Sequence, residues 1–245
     1  MVNFFSKLLF IFNLICINSF LFQNSLKLSS GKTITFSGNG PPVLFATGLY
    51  GTMPQFIYSN FVNDLKKNLT IININGNSPI VKSDIDDIAN SINSDKISYI
   101  GHSSFKYDIL ESKKINAAIL LDPLFVPLVS FNGFNSPLIK PKYNLLVLNT
   151  DKLINSDNKK PPEWQFLNLD KSVEVEIIKN VGHPDILDDR WANFAQNLNF
   201  WDMAEGEKMN FNNWKFNSKK TISNIRKEYR KDIVNKIINF IEISK

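Results

Sequence analysis

The sequence predicts an α/β domain with a mainly parallel central sheet and helices on both of its faces. Two observations lead to this prediction: strand-like and helix-like stretches alternate along the chain, and most strand-like stretches are short apolar runs. Strands that alternate with helices form βαβ units, in which the strands pair in parallel. A third observation is that residues capable of chemistry directly follow several of these runs, where parallel sheets carry their functional sites.

Local patterns predict the individual elements. Each predicted strand is an apolar or β-branched run bounded by polar or turn-forming residues, and these strands cover residues 33–36, 42–48, 70–75, 96–101, 117–122, 145–150 and 173–178. Helical spacing and helix-start signals predict helices over residues 56–68, 84–92 and 222–243, with a short one at 107–110. Ser83 is expected to cap the helix that begins at Asp84, because small polar side chains accept hydrogen bonds from free helix N–H groups.

Composition indicates one globular domain without a metal centre rich in cysteine or histidine. The chain has 245 residues, of which 43% are hydrophobic and 21% charged, a balance typical of a folded domain. Cys16 is the only cysteine, so an intramolecular disulfide and a cysteine-based metal site are both excluded. Only two histidines are present, which argues against a histidine-rich metal site. Residues 31–245 are therefore predicted to form a single domain.

The formal net charge of +5 is modest, and the excess lies in the C-terminal part of the chain. The basic residues concerned are Lys215, Lys219, Lys220, Arg226, Lys227, Arg230 and Lys231. A nucleic-acid partner would require a basic face together with groups that read bases, and the sequence contains no such motif. These cations are expected to form the solvated face of the last helix, with contact to an anionic surface as the alternative.

Residues 1–30 have the pattern of a targeting segment. An apolar run at residues 8–17 follows a weakly basic start and is interrupted by Asn18 and Ser19. This run is too short to span a membrane, which takes about 20 apolar residues, but it has the length of a signal-peptide core. The segment also resembles the bipartite presequences of secondary plastids, so a plastid and a secretory or endomembrane location both stay open. The alternative is an amphipathic helix that packs on the domain.

Three residues with complementary chemistry follow separate predicted strands: Ser103, Asp122 and His183. A serine hydroxyl becomes an effective nucleophile when an imidazole accepts its proton, and a carboxylate must hold that imidazole in the correct tautomer. The chain order Ser, Asp, His is the order that α/β-hydrolases use. The sequence therefore predicts an α/β-hydrolase fold with Ser103 as nucleophile and His183 as general base.

The acid of this set has a competitor. Asp151 follows the strand at residues 145–150, and many α/β-hydrolases place the acid after that strand. Asp185, Asp188 and Asp189 are too close to His183 in sequence to be first choices, and they are expected to cap a helix that begins near them.

The segment Gly101-His102-Ser103-Ser104-Phe105 resembles the nucleophile elbow G-x-S-x-G, with one departure. Small residues flank the serine in that turn so that the following helix can press against the strand, and a phenylalanine stands where the second glycine belongs. The oxyanion hole needs backbone N–H groups. The N–H of Ser104 is one expected donor, and the loop after the early strand supplies the other, with Leu49 as first choice and Tyr50 next.

These motifs resemble those of the chlorophyllases. Residues 181–189 look like the G-H-x-D-x-L-D-D run around the catalytic histidine of that family, and Asp122-Pro123 is similar to its D-P pair. Gly101-His102-Ser103 matches the start of the family's G-H-S-R-G-G elbow, and residues 45–48 resemble its F-L-H-G strand with Thr47 in place of the histidine. The arrangement is also similar to the platelet-activating-factor acetylhydrolases. The resemblance covers roughly residues 42–189 and favours Asp122 over Asp151 as the acid.

The resemblance implies a serine carboxylic-ester hydrolase that cleaves chlorophyll to chlorophyllide and phytol without a metal or organic cofactor. A lipase or phospholipid esterase of the acetylhydrolase type is one alternative, and a catalytically impaired protein that binds lipid or pigment is another. The apolar residues 124–129 and the aromatic residues Tyr50, Phe56 and Tyr58 would suit a hydrophobic ester. Peripheral membrane contact would be compatible with such a substrate.

Overall fold

The computed structural model describes residues 25–75, 78–104, 106–124, 140–150, 170, 173–179, 181–197 and 223–244. Several predictions fall on residues outside these ranges: most of the targeting segment, the side chain of Phe105, the alternative acid Asp151 and the apolar residues 125–129. They stay predictions.

An eight-stranded sheet forms the centre of the domain. Its strands are β1 (Ser25–Lys27), β2 (Thr33–Ser37), β3 (Pro42–Ala46), β4 (Thr70–Asn75), β5 (Ile97–Ser104), β6 (Ile115–Leu124), β7 (Asn144–Thr150) and β8 (Glu174–Ile178). The strand order is β1-β2-β4-β3-β5-β6-β7-β8. β2 is antiparallel to both of its neighbours, and all other pairs are parallel. The predicted α/β class and mainly parallel sheet are confirmed.

Helices cover both faces of this sheet. They are α1 (Gly48–Gly51), α2 (Ser59–Leu65), α3 (Lys82–Ser91), α4 (Asp189–Asn197) and α5 (Ser223–Ile243), with 3-10 stretches at Gln55–Tyr58, Tyr107–Glu111 and His183–Ile186. Side chains alternate along each strand, so every central strand contributes to two cores. Val43 and Phe45 of β3 belong to the core under α2 and α5, whereas Leu44 and Ala46 belong to the core under α3.

The expected cap of α3 is wrong. The helix begins at Lys82, one residue before Ser83, and the residue that precedes it is Val81. The carboxylate of Asp84 accepts the N–H of Val81 at 2.9 Å, so a residue inside the first turn satisfies the free donor instead of Ser83. The same carboxylate forms a buried ion pair with Lys32, which fixes its position.

Loss of the Lys32 ammonium should destabilise the fold strongly. Asp84 is 0% exposed and Lys32 is 6% exposed, so the variant Lys32→Met leaves a buried carboxylate without its counter-charge. Breaking a buried pair in this way typically costs about 3–5 kcal/mol. Denaturant unfolding should show this loss in the free energy of unfolding.

Lys67→Met is the matched control, because Lys67 pairs with Asp64 at the surface and exposed pairs contribute at most about 1 kcal/mol. Equal effects of the two substitutions would contradict a structural role for the buried pair.

Candidate active site

The three predicted catalytic residues lie at one edge of the sheet, although separate elements carry them. Ser103 is near the end of β5, Asp122 is in β6, and His183 begins the 3-10 stretch that follows β8. β5 and β6 pair in parallel with His102 opposite Leu121. Ser103 and Asp122 directly follow that pair, so both reach the carboxyl ends of their strands.

Left-handed backbone is concentrated at this edge. Ser103 has φ 64°, Asp122 has φ 44° and Tyr50 has φ 63°, a region that non-glycine residues seldom adopt. The fourth such residue in the described part of the chain is Asn93, φ 51°, an amino acid that tolerates this conformation in turns. Backbone strain of this kind costs about 1–3 kcal/mol per residue and clusters at functional sites. Three strained residues at one strand edge therefore indicate a built site.

Two glycines near Ser103, Gly101 and Gly48, lie where neighbouring atoms leave little room for a side chain. A Cβ on Gly101 would lie 2.8 Å from the Tyr99 hydroxyl, so the first position of the elbow has no room for a side chain. A Cβ on Gly48 would lie 2.9 Å from Met53 Sδ and 3.6 Å from Ser103 Cβ. The loop after β3 thus packs directly against the nucleophile, as the predicted oxyanion loop must.

The segment after Ser103 differs from a typical nucleophile elbow. In the G-x-S-x-G turn an α-helix follows the serine, and the second glycine lets that helix approach the strand. In this chain the described residues 106–111 contain the 3-10 stretch Tyr107–Glu111 and no α-helix. Over those residues, the steric reason for a second glycine, an α-helix pressed against the strand, is absent.

Asp122 is held firmly and faces His183. Its two carboxylate oxygens accept the N–H of Thr150 at 2.5 Å and the hydroxyl of Thr150 at 2.6 Å. Nδ1 of His183 lies 3.6 Å from Asp122 Oδ2, with Asp122 3% exposed and His183 13% exposed. This Nδ1 is buried and makes no hydrogen bond within the described part of the chain. The Asp122 carboxylate is thus in position to orient the imidazole.

Thr150 holds the candidate acid Asp122 through both its N–H and its hydroxyl, a contact that the sequence motifs did not predict. It ends β7, which pairs with β6 in parallel, so the strand-end rule that selected Asp122 points to Thr150 as well.

The loop that carries His183 is anchored by buried polar contacts. Asp185 accepts the N–H of Gly182 at 2.8 Å and the Nε–H of Arg226 at 2.8 Å. Arg230 donates to the carbonyl of Leu187 at 2.7 Å. The C-terminal helix α5 therefore fixes the loop from one side.

The solvated face predicted for the last helix is wrong at Arg226 and Arg230. Their side chains are 1% and 7% exposed, and they pair with Asp185 and Asp189. Both arginines lie on the apolar stripe of α5, because positions 226, 230, 233, 237 and 241 share one helical face and all five are buried. Their position on the apolar face of the helix, and not their charge, is the sequence signal that predicts their burial.

The predicted oxyanion donors, Leu49 and Ser104, belong to the loop after β3 and to the end of β5. Leu49 is in the first turn of α1, where backbone N–H groups have no partner within a helix. Ser104 ends β5 directly after the nucleophile. The side chain of Thr47 closes the loop that carries Leu49 by donating to the carbonyl of Met53 at 2.6 Å. The Thr47 hydroxyl thereby has a structural role in this loop.

Across the described ranges, no group of three or more potential ligands could hold a metal ion. The helices in those ranges include none that is long and apolar enough to cross a bilayer.

The strand order and the site position identify the fold. The sheet has an antiparallel second strand, the candidate nucleophile follows β5, the candidate acid is in β6, and the histidine follows β8. The fold is that of the α/β-hydrolases. This confirms the predicted fold class.

Several solved structures are similar to parts of this chain at low sequence identity. No protein-family model and no curated protein matches the chain. The chain is similar in structure to the epoxide hydrolase CorEH without ligand, with 11% identity, a TM-score of 0.48, and coverage of 66% of this chain and 92% of that one. It is also similar to naproxen esterase (carboxylesterase NP) from Bacillus subtilis, with 14% identity, a TM-score of 0.41, and coverage of 66% and 86%.

A third similar structure is an α/β fold family hydrolase from Bacillus anthracis str. Sterne, at 18% identity and a TM-score of 0.33. The match covers 42% of this chain and 44% of that chain, so it spans less than half of that protein.

Loss of the Arg226 guanidinium should loosen the His183 loop. Arg226→Met leaves the carboxylate of Asp185, which is 0% exposed, buried without its counter-charge, at a cost of about 3–5 kcal/mol. Hydrogen–deuterium exchange should then become faster in peptides that cover residues 181–188.

Lys227→Met is the control, because Lys227 is exposed on the same helix. Unchanged exchange in the loop of the folded Arg226→Met variant would show that α5 does not anchor it.

Proposed function

We propose that the chain is a chlorophyllase-like serine carboxylic-ester hydrolase that works through an acyl-enzyme. One observation carries the proposal: Ser103 has left-handed backbone, φ 64°, at the end of β5, on the same sheet edge as the Asp122–His183 pair. The nucleophile elbow of α/β-hydrolases uses such a strained turn to expose the serine hydroxyl above the sheet.

In the proposed reaction, Ser103 Oγ attacks the ester carbonyl carbon while Nε2 of His183 accepts the hydroxyl proton. Asp122 faces Nδ1 of His183, sets the tautomer and stabilises the imidazolium that forms. The separation of 3.6 Å in the free protein is longer than a hydrogen bond, and catalytic hydrogen bonds often tighten only when substrate binds.

The acyl-enzyme then forms and breaks down. His183 returns the proton to the alcohol oxygen as the C–O bond breaks, and the acyl group stays on Ser103. A water molecule then gives one proton to His183 while its oxygen attacks the acyl carbon, and the bond from that carbon to Ser103 Oγ breaks as His183 returns the proton to Oγ, which releases the acid. The N–H groups of Leu49 and Ser104 are proposed to stabilise the oxyanion in both steps. Ser104 directly follows Ser103 in the chain, and Leu49 directly follows Gly48, which packs against Ser103.

Chlorophyll is the proposed substrate, and chlorophyllide and phytol are the proposed products. The support is the resemblance of residues 181–189 to the chlorophyllase loop, together with the contacts that its acidic residues make. Asp185 binds Arg226, Asp188 accepts the N–H of Asn60 at 2.8 Å, and Asp189 binds Arg230. Each acidic side chain thus has a use in holding the loop around His183. A targeting segment in residues 1–30 would deliver the enzyme to a plastid or an endomembrane.

A phospholipid esterase of the acetylhydrolase type is the second candidate. The position of the acid supports it, because Asp122 lies in β6, and the acetylhydrolases resemble the chlorophyllases in placing the acid at this strand. A binding protein on a hydrolase scaffold is the non-catalytic alternative.

Product analysis should distinguish these candidates. The purified protein is incubated separately with chlorophyll and with short-chain phospholipids, and products are identified by chromatography and mass spectrometry. We expect chlorophyllide and phytol, and Ser103→Ala should lower kcat by on the order of 10⁴-fold or more, because the nucleophile is lost.

Fatty acid release from phospholipid alone would contradict the chlorophyllase proposal but not the serine mechanism. Retention of most activity by Ser103→Ala would contradict the mechanism itself. Binding of either lipid by the folded wild-type protein without any product would favour the non-catalytic alternative.

A further inference from the structure

A chain of buried hydrogen bonds links the three loops of the candidate site. The N–H of Gly48 donates to the Tyr58 hydroxyl at 3.0 Å, and the Tyr58 hydroxyl lies 2.8 Å from Nδ1 of His102. Nε2 of His102 lies 3.3 Å from the backbone carbonyl of His183. Gly48 is in the oxyanion loop, His102 directly precedes the nucleophile, and the last contact reaches the loop of the general base.

The His183 carbonyl sets the direction of these hydrogen bonds. A carbonyl can only accept, so His102 must carry a proton on Nε2. In neutral His102 the Nδ1 atom is then an acceptor, and it takes the hydroxyl proton of Tyr58. The N–H of Gly48 can only donate, so Tyr58 Oη accepts from it and keeps its own proton for His102.

The surroundings of His102 keep it neutral. Tyr58 is 0% and His102 is 4% exposed. Burial lowers the pKa of the His102 imidazole well below its usual range, and the neighbouring His183 ring lowers this pKa further, whereas the hydrogen bond to the His183 carbonyl opposes the shift. Burial also raises the pKa of Tyr58 and keeps its hydroxyl protonated, against the opposing effect of the Gly48 hydrogen bond.

The His102 ring also packs against the general base. The rings of His102 and His183 stack with centroids 4.6 Å apart and planes inclined by 22°. A cationic His102 would repel the imidazolium that the proposed mechanism forms on His183, and a neutral ring does not. The stacking contact and the carbonyl contact together restrict both the ring and the backbone of His183.

We propose that Tyr58 and His102 are positioning residues, which hold the oxyanion loop and the His183 loop in a fixed arrangement around Ser103. This inference rests on the proposed function and deepens it. The N–H of Gly48 already donates to the Tyr58 hydroxyl. The N–H groups of Leu49 and Ser104 are therefore the ones proposed to bind the oxyanion. Tyr58 was expected from the sequence to suit a hydrophobic ester, but it is 0% exposed, so its side chain is not open to substrate. Neither Tyr58 nor His102 is therefore assigned a contact with substrate, and their effect should fall on kcat and leave KM unchanged.

Tyr58→Phe is the smallest change that breaks this chain of hydrogen bonds, because it removes the hydroxyl and keeps the ring. We expect kcat for ester hydrolysis to fall about three- to tenfold, the range that loss of one net hydrogen bond gives, with KM within about twofold of wild type. Tyr99→Phe is the matched control. Tyr99 is equally buried, at 0% exposure, and its hydroxyl makes no hydrogen bond within the described residues, so kcat should not change.

Imidazole ¹⁵N NMR reads the tautomer independently of activity. The chain has two histidines, so His102→Gln assigns both rings in one comparison. In wild type we expect His102 to carry its proton on Nε2. In Tyr58→Phe we expect the same tautomer, held by the His183 carbonyl, with a shifted ¹⁵N resonance for Nδ1, which has lost its hydrogen-bond donor. His102→Gln keeps a side-chain N–H for the His183 carbonyl and should retain more activity than His102→Leu.

The outcomes separate this inference from the proposed function. An active wild type with His102 protonated on Nδ1, or a folded Tyr58→Phe variant with wild-type kcat, would overturn the positioning role alone. A wild type that hydrolyses no ester would overturn the proposed function, and the spectra would then decide whether the hydrogen-bond chain exists. Thermal unfolding of each variant separates loss of folded protein from loss of kcat.

Discussion

The parallel pairing of β5 with β6 is the constraint on which the active-site edge depends. Since His102 lies opposite Leu121, the two strands end together, and Ser103 and Asp122 come to the same edge. The pairing of β6 with β7 then brings Thr150 to the carboxylate, which it binds through both its N–H and its hydroxyl. Strained backbone at Ser103 and Asp122 persists because the surrounding sheet over-determines it.

The loops need a second kind of constraint, which buried polar side chains supply. Arg226 reaches from α5 to Asp185 beside the general base, and Asp188 donates its N–H to the carbonyl of Ile57 at 2.9 Å. Tyr58, in the same stretch as Ile57, reaches the oxyanion loop and the elbow. The stretch Gln55–Tyr58 is therefore the common support of all three loops. Hydrophobic burial forms the layers, and a small number of directional contacts sets the site within them.

The fold was predictable from sequence because apolar runs mark the strands and the strand-end rule marks Ser103 and Asp122. Contacts between distant segments were not predictable in this way, since no local pattern pairs Tyr58 with His102. Ser83 failed as a cap because Asp84, fixed by a distant lysine, took that function. Charge alone predicted that the arginines of α5 would be solvated, but their position on the apolar face of the helix buries them.

Covalent labelling with a fluorophosphonate tests the central claim, an activated nucleophile at Ser103, most directly. We predict one adduct per chain, mapped by peptide mass spectrometry to Ser103, and labelling that is slower by on the order of 10⁴-fold in His183→Gln, which lacks the general base. Folded wild-type protein that stays unlabelled, or an adduct on a different serine, would contradict the account.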